Sequence, residues 1–280
     1  MHRFRQLLGA LGTLTLALAI GATPAATAGA DQTPQVSVAA TTTDPAQAVY
    51  DRMSQAQRIG QLFMVGTPVT GLATATRTAI TTYHVGNVLL TGRTTAGAPP
   101  VRALTSAVDA LTTSAATAGV PLFVAADQEG GYVQVLQGSG FSRMPTALTQ
   151  GGWSDTTLTS TARTWGYQVF RAGVDVDLAP VMDTVPRSLA STNPIGHYQR
   201  EYGYTEPVVA DKGAAFLRGM GVSGLAMTAK HFPGLGHVTA NTDTSSGVTD
   251  TVTTRTSADI AAFRAAIGAG AGMVMVSSAV

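Results

Sequence analysis

Cysteine is absent from the 280-residue sequence. That excludes disulfides, thiolate zinc sites, iron–sulfur clusters, a cysteine nucleophile and a lipid anchor through an N-terminal cysteine. Charge is scarce as well. Asp, Glu, Lys and Arg make up 12% of the residues, about half the ~25% of an average soluble domain. The 17 Lys and Arg nearly cancel the 16 Asp and Glu, giving a net charge of +1. No electrostatic footprint for nucleic acid or an anionic membrane follows from that balance. Neither a G-x-G-x-x-G after a strand nor a Walker A loop occurs, which removes the best sequence sign of nucleotide binding. What the chain does have is 45% apolar residues, enough at this length to bury a sizeable core.

The N-terminus reads as an address. Arg3 and Arg5 precede an uncharged apolar run from Leu7 to Ala22, followed by Pro24 and the small residues Ala25–Ala28. This is the three-part pattern of a cleavable signal peptide over 1–28, with Ala26–Thr27–Ala28 as the cleavage signal. The run is shorter than the ~20 residues that span a bilayer and contains Gly9, Gly12 and Thr13, so no stable membrane anchor is expected. Removing it takes away two Arg and no acid, so the mature charge becomes 15 − 16 = −1. A secreted, extracellular protein is the expectation. Residues 29–43 read as a flexible lead-in, and 44–280 as the folded domain.

Beyond it the chain alternates. Asp44–Pro45 has the form of an N-cap followed by proline, and Ser54-x-x-Gln57 that of a capping box. Apolar runs at Gln61–Gly66, Val85–Leu90, Pro121–Ala126, Val174–Leu178, Gly224–Lys230 and Met273–Val276 predict strands. Helix-length stretches lie between them, notably Val101–Ala118, Thr156–Ala172, Val208–Met220 and Ala258–Gly268. Continuous apolar strands alternating with helices predict an α/β fold with a parallel sheet buried on both faces. Polar residues gather at strand C-terminal ends, where a (β/α)₈ barrel builds its site. Six strands can be counted rather than eight, so an incomplete TIM-type barrel is expected.

Three segments carry chemistry. Lys230-His231-Phe232-Pro233-Gly234 puts two hydrogen-bond donors at a strand end, where Pro and Gly turn the chain away. Asp127-Gln128-Glu129-Gly130-Gly131 puts two acids and an amide at another, and carboxylates there suit the vicinal hydroxyls of a sugar. For Glu129, capping a helix or pairing with an arginine is an equal alternative to function. Arg200 could reach a substrate or pair with Glu201. Asp175, Asp177 and Asp183 frame the fourth strand, but they lack partner histidines, so a metal is not expected.

In this order, Gly60–Gly66, Asp127–Gly131, Asp177–Asp183 and Lys230–Gly234 resemble glycoside hydrolase family 3. Within that family they are most similar to the bacterial β-N-acetylhexosaminidases of cell-wall recycling. The resemblance covers residue 45 or so to the C-terminus. It implies a barrel domain and an exo-acting, retaining hydrolase that removes terminal β-linked N-acetylglucosamine from peptidoglycan fragments or chitooligosaccharides. Its partner would be a carbohydrate substrate, with no metal or organic cofactor. It makes Asp127, Lys230 and His231 ligands of sugar hydroxyls, and Arg200 the substrate-binding arginine. Tyr132 stands where family members usually carry arginine.

The sequence departs from the pattern at the proton donor. Where the branch carries an Asp-x-His dyad, this chain has Asn241-Thr242-Asp243. Asp243, which occupies the dyad position and would act as a buried carboxylic acid, is the replacement acid/base candidate, and His237, whose imidazole ordinarily titrates near ~6.5, is the alternative. The family's nucleophilic carboxylate follows the strand after Met273–Val276, so it is expected beyond Val280. A β-glucosidase on the same barrel and a secreted sugar-binding protein without catalysis are the rival readings.

Overall fold

The computed structural model describes residues 44–280, so the expected signal peptide and lead-in lie outside the described residues. Two short helices come first, α1 (Pro45–Arg52) and α2 (Gln55–Gly60). Asp44 caps α1 by accepting the Ala46 N–H at 3.0 Å. The capping box of α2 closes both ways. Gln57 N–H donates to Ser54 Oγ at 3.2 Å, and Ser54 N–H donates to Gln57 Oε1 at 3.0 Å.

Strands and helices then alternate. The order is β1 (Met64–Pro68), α3 (Thr74–Tyr83), β2 (Asn87–Thr91), α4 (Ala98–Asp109), α5 (Ser114–Thr117) and β3 (Phe123–Ala126). A small hairpin of β4 (Gln128–Gly130) and β5 (Val133–Gln134) follows, then α6 (Ala147–Gly151), α7 (Asp155–Arg171) and β6 (Val176–Asp177). The chain continues through α8 (Glu206–Gly221), β7 (Ala226–Phe232), α9 (Ile260–Gly268) and β8 (Met273–Val276).

Apart from the hairpin, the strands form one parallel sheet in the order β1-β2-β3-β6-β7-β8. Successive strands pair as neighbours with helices between them, the wiring of a (β/α) barrel. The sheet has six strands and is not closed. All six runs predicted from sequence became strands. The first starts three residues late, at Met64, because the helix capped by Ser54 runs into a turn at Gln61–Leu62. The predicted helix 101–118 is two helices. Thr113 breaks it by accepting the Ala116 N–H at 3.0 Å and starting α5 afresh. Helix α3 was not anticipated, since its sequence TATRTAITTY is rich in β-branched residues with low helix propensity.

Alternation along the strands sorts the core into two layers. Val88, Leu90, Val124, Ala126, Met227 and Ala229 belong to the large cluster that the helices cover. Leu89, Ala125, Val176, Leu178, Ala226, Met273 and Met275 pack together on the other face. Helices α7 and α8 approach each other most closely at glycines. A Cβ on Gly166 would lie 2.4 Å from the Met220 carbonyl oxygen, and one on Gly219 would lie 2.5 Å from that of Thr159. Phe216 is wholly buried at this contact, with Trp165 and Tyr202 ring centroids at 6.4 and 6.0 Å. Tyr202 follows directly on the Arg200–Glu201 pair, so this packing also anchors the loop that carries Arg200.

Phe216→Ala is therefore expected to destabilise the domain by about 3–5 kcal/mol, the usual cost of emptying a buried aromatic site. Urea unfolding of the two proteins measures it. A loss below about 1 kcal/mol would show that the α7–α8 contact is not the core this packing implies.

Candidate functional site

The site is assembled from three strand ends. At the first, the chain leaves β3 and folds straight back as the β4–β5 hairpin. Gly130 permits this, with φ of +103° and no room for a Cβ, which would fall 2.4 Å from the Pro145 carbonyl oxygen. Buried amides pin the hairpin. Gln128 donates to the Leu136 carbonyl and accepts its N–H, at 2.9 and 3.0 Å. Gln134 donates to the Ser142 carbonyl and accepts the Met144 N–H, at 2.8 and 3.0 Å. Asp127 and Glu129 are thus presented from a rigid turn.

At the second, β7 delivers Lys230, only 2% exposed. Its Nζ lies 2.6 Å from Asp127 Oδ1 and 2.6 Å from Glu129 Oε1. Arg200 completes the network from the loop before α8. Its Nε donates to Glu129 Oε2 and its Nη2 to Glu129 Oε1, both at 2.8 Å. This bidentate fork is the strongest form of such a pair. Three of the sequence-predicted groups, Asp127, Arg200 and Lys230, therefore converge, and Glu129 pairs with an arginine, one of the alternatives left open. Arg200 reaches Glu129 rather than its chain neighbour Glu201. Both Glu201 carboxylate oxygens are buried without a hydrogen-bond partner among the described residues, and burial pushes that group up to about 7.

The electrostatics follow from burial and pairing. Burial alone would raise Glu129, but Lys230 and Arg200 outweigh it and bring the carboxyl down to about 2. Burial also works against the Lys230 and Arg200 charges, yet Glu129 and Asp127 hold both above their ordinary values. Asp127 remains the accessible member at 29% exposure, and its second oxygen is not engaged by Lys230.

At the third strand end, beyond β6, stands Asp183, which the sequence reading considered only as a metal candidate. It is fully buried and grips the chain after Lys230. Its Oδ1 accepts the N–H groups of His231 and Leu235, at 3.1 and 2.9 Å. Its Oδ2 lies 2.7 Å from His231 Nδ1. Burial favours the neutral acid, but His231 and the two N–H donors offset this and keep the carboxyl below its ordinary value. An ionised carboxylate only accepts, so Nδ1 carries the hydrogen and Nε2 is the free ring nitrogen. Asn193 was also missed. It is buried, and its amide donates to the carbonyls of Leu235 and Val238 at 2.7 and 2.8 Å, fixing the loop after β7. Asn193 belongs to no motif legible along the chain, and although Asp183 ends the Asp177–Asp183 segment, nothing in that segment points to His231 as its partner.

The two acid/base candidates fall in different surroundings. Asp243 is exposed, in a turn where its N–H donates to Asn241 Oδ1 at 2.9 Å. His237 is mostly covered, with Nε2 3.1 Å from Asp259 Oδ2. Among the described residues, no group of three or more His, Asp or Glu is arranged to hold a metal ion.

Comparison with known proteins places this geometry. Residues 55–280 match the model of the glycosyl hydrolase family 3 N-terminal domain. This chain belongs to glycosyl hydrolase family 3. A β-hexosaminidase of Vibrio cholerae serotype O1 is 33% identical over 198 residues, covering 66% of this chain and 52% of that protein. A Cellulomonas fimi β-N-acetylglucosaminidase/β-glucosidase is 32% identical over 233 residues, covering 80% of this chain and 37% of that protein. The crystal structure of a β-N-acetylhexosaminidase from Beutenbergia cavernae superposes with a TM-score of 0.80 at 51% identity, covering 81% of this chain and 68% of that one. The family 3 chain described here thus spans about half the length of the curated relatives it matches, and its open six-stranded sheet is the N-terminal, TIM-like barrel domain of the family.

Glu129 supplies a pH test. Its folded value lies below its ordinary 4.5, so the ionised form stabilises the fold fully above that pH. The contribution is lost as pH falls from about 4.5 through about 2. Glu129→Gln should cost about 3 kcal/mol or more at neutral pH, because it leaves Arg200 without its carboxylate and Lys230 with one of its two. It should also flatten the acid limb of stability in urea unfolding across that window. An unchanged acid slope would mean that the network is not ionised as drawn.

Proposed function

We propose that the whole protein is an exo-acting, retaining glycoside hydrolase that releases terminal β-linked N-acetylglucosamine from peptidoglycan fragments or chitooligosaccharides. One observation carries the reading: Lys230 is buried between Asp127 and Glu129 at 2.6 Å from each, with Asp127 left open to solvent. A fixed carboxylate beside an ammonium, with His231 Nε2 and Arg200 nearby, offers acceptors and donors to adjacent hydroxyls on one face of a sugar. The hexosaminidase names of the relatives support the choice of sugar. The signal-peptide pattern of the sequence over residues 1–28 supports secretion of the protein.

Retention requires two carboxyl-based roles. Asp127 and Glu129 are committed to Lys230 and Arg200, so neither is free to attack. The nucleophile belongs, on this reading, to a strand end beyond Val280. For the proton donor, the pairing with Asp259 favours His237. A carboxylate beside an imidazole orients the ring. Asp243 is exposed and lacks the burial that a proton-donating carboxylic acid needs. β-Glucosidase activity is the second reading, supported by the double name of the Cellulomonas fimi relative.

The test is hydrolysis of aryl β-N-acetylglucosaminide against aryl β-glucoside by the whole secreted protein. The N-acetyl substrate should win, and Asp127→Ala or Lys230→Ala should lower kcat/KM by about 100-fold or more. His237→Ala should slow substrates with poor leaving groups far more than dinitrophenyl glycosides, which need no proton. If Asp243→Asn shows that selectivity and His237→Ala does not, the donor is Asp243. Preference for the glucoside would move the protein to the second reading.

A further inference from the structure

One buried acid of the site has no task in the mechanism above. Asp177, the last residue of β6, is completely buried. Its Oδ1 accepts the backbone N–H of Gln128 at 3.0 Å, and its Oδ2 is buried with no hydrogen-bond partner among the described residues. Gln128 is the residue between Asp127 and Glu129, the two acids that hold Lys230. Whatever fixes the Gln128 N–H therefore sets how the two acids straddle that ammonium.

The charge count constrains the form of Asp177. The groups facing it are Asp127 and Glu129 from the turn after β3, Lys230 from β7, and the Tyr202 phenol from the loop before α8. Lys230 and Arg200 bring two positive charges, and Asp127 and Glu129 already balance them. A third carboxylate would be a buried charge without a counter-charge. A buried neutral carboxylic acid costs far less than a buried ion. Burial, the largest influence, and the two neighbouring acids push Asp177 well above its ordinary value, against the pull of the Gln128 N–H and Lys230.

We infer that Asp177 is a positioning residue of the sugar site, a neutral carboxylic acid that holds the Gln128 N–H and so sets Asp127 and Glu129 about Lys230. Its effect on sugar binding rests on the proposed function; its protonation and its hold on Gln128 do not. Asn is the isosteric neutral substitute, since its amide oxygen still accepts the Gln128 N–H.

Three measurements on the wild type, Asp177→Asn and Asp177→Ala test this. The first is the infrared carboxylic C=O band at pH about 8, where Glu201 and Asp175, raised to about 7 and about 6, are mainly ionised. The band should be present in the wild type and lost in Asp177→Asn. The second is hydrogen exchange at the Gln128 amide, whose protection should survive in Asp177→Asn and fall in Asp177→Ala. The third is binding of N-acetylglucosamine, retained within about twofold by Asp177→Asn and weakened about tenfold or more by Asp177→Ala. A band unchanged by Asp177→Asn, or Asp177→Asn losing as much protection as Asp177→Ala, overturns the inference. Should Asp177→Ala fail to fold, the wild type and Asp177→Asn still decide it through the band and the exchange. If even the wild type binds no N-acetylglucosamine, the proposed function falls, while the band and the exchange still judge Asp177.

Discussion

Lys230 is an ammonium taken out of water, and the rest of the site is arranged around that fact. Withdrawing such an ion from solvent costs several kcal/mol, recovered only when its partners are close and themselves held in place. Two carboxylates at 2.6 Å meet the first condition. The second explains much of the local structure. The β4–β5 hairpin holds Asp127 and Glu129 with buried glutamine amides, and Arg200 locks Glu129 through both carboxylate oxygens. The loop carrying Arg200 is fixed in turn by Tyr202, packed on Phe216 of α8.

Such a network is a poor way to gain stability. Well-packed apolar residues of similar volume commonly do as well or better, so the arrangement points to a use for the charges. That use is preorganisation. On the proposed function, a sugar arriving at Asp127 meets a carboxylate that has already lost part of its hydration and whose orientation is fixed. The side chains do not have to be ordered on binding. His231 is prepared in the same way, because Asp183 fixes both its backbone N–H and its ring.

How much of this could be read along the chain depends on the range of each interaction. The strands were legible because apolar runs between helix-length segments are a local signal, and the caps at Asp44 and Ser54 because each spans a few residues. The convergence of Asp127, Arg200 and Lys230 was legible only because strand C-terminal ends share one face of a barrel. The pairings themselves were not. Arg200 and Glu129 lie 71 positions apart, and Lys230 and Asp127 lie 103 apart. Arg200 beside Glu201 looked like a local pair, yet the guanidinium is turned toward Glu129. The partners of Asp183 and Asn193 carried no signal, because Asp183 meets His231 and the Leu235 N–H 48 and 52 positions away and Asn193 donates to carbonyls 42 and 45 positions away. The division of 101–118 into two helices turned on one threonine side chain accepting a backbone N–H, a choice that propensity does not settle.

The site also divides into a fixed base and a separately packed upper loop. Val181, Val185, Ile195, Leu235, Val238 and Val248 form a cluster distinct from the main core, and Asn193 ties the loop to it. Gly236 lets that loop lie against the Thr184 carbonyl, where a Cβ would fall 1.8 Å away. His237 therefore stands on a segment that packs through this second cluster and is joined to β7 by the Asp183 hydrogen bonds. Residues farther along the loop, from Asn241 onward, are more exposed and make mainly local contacts. On the proposed function, the proton donor is carried by this cluster and its loop, and the sugar by the buried charges about Lys230. The departure of Asn241-Thr242-Asp243 from the usual dyad falls in that region, and His237 with Asp259 lies at its root.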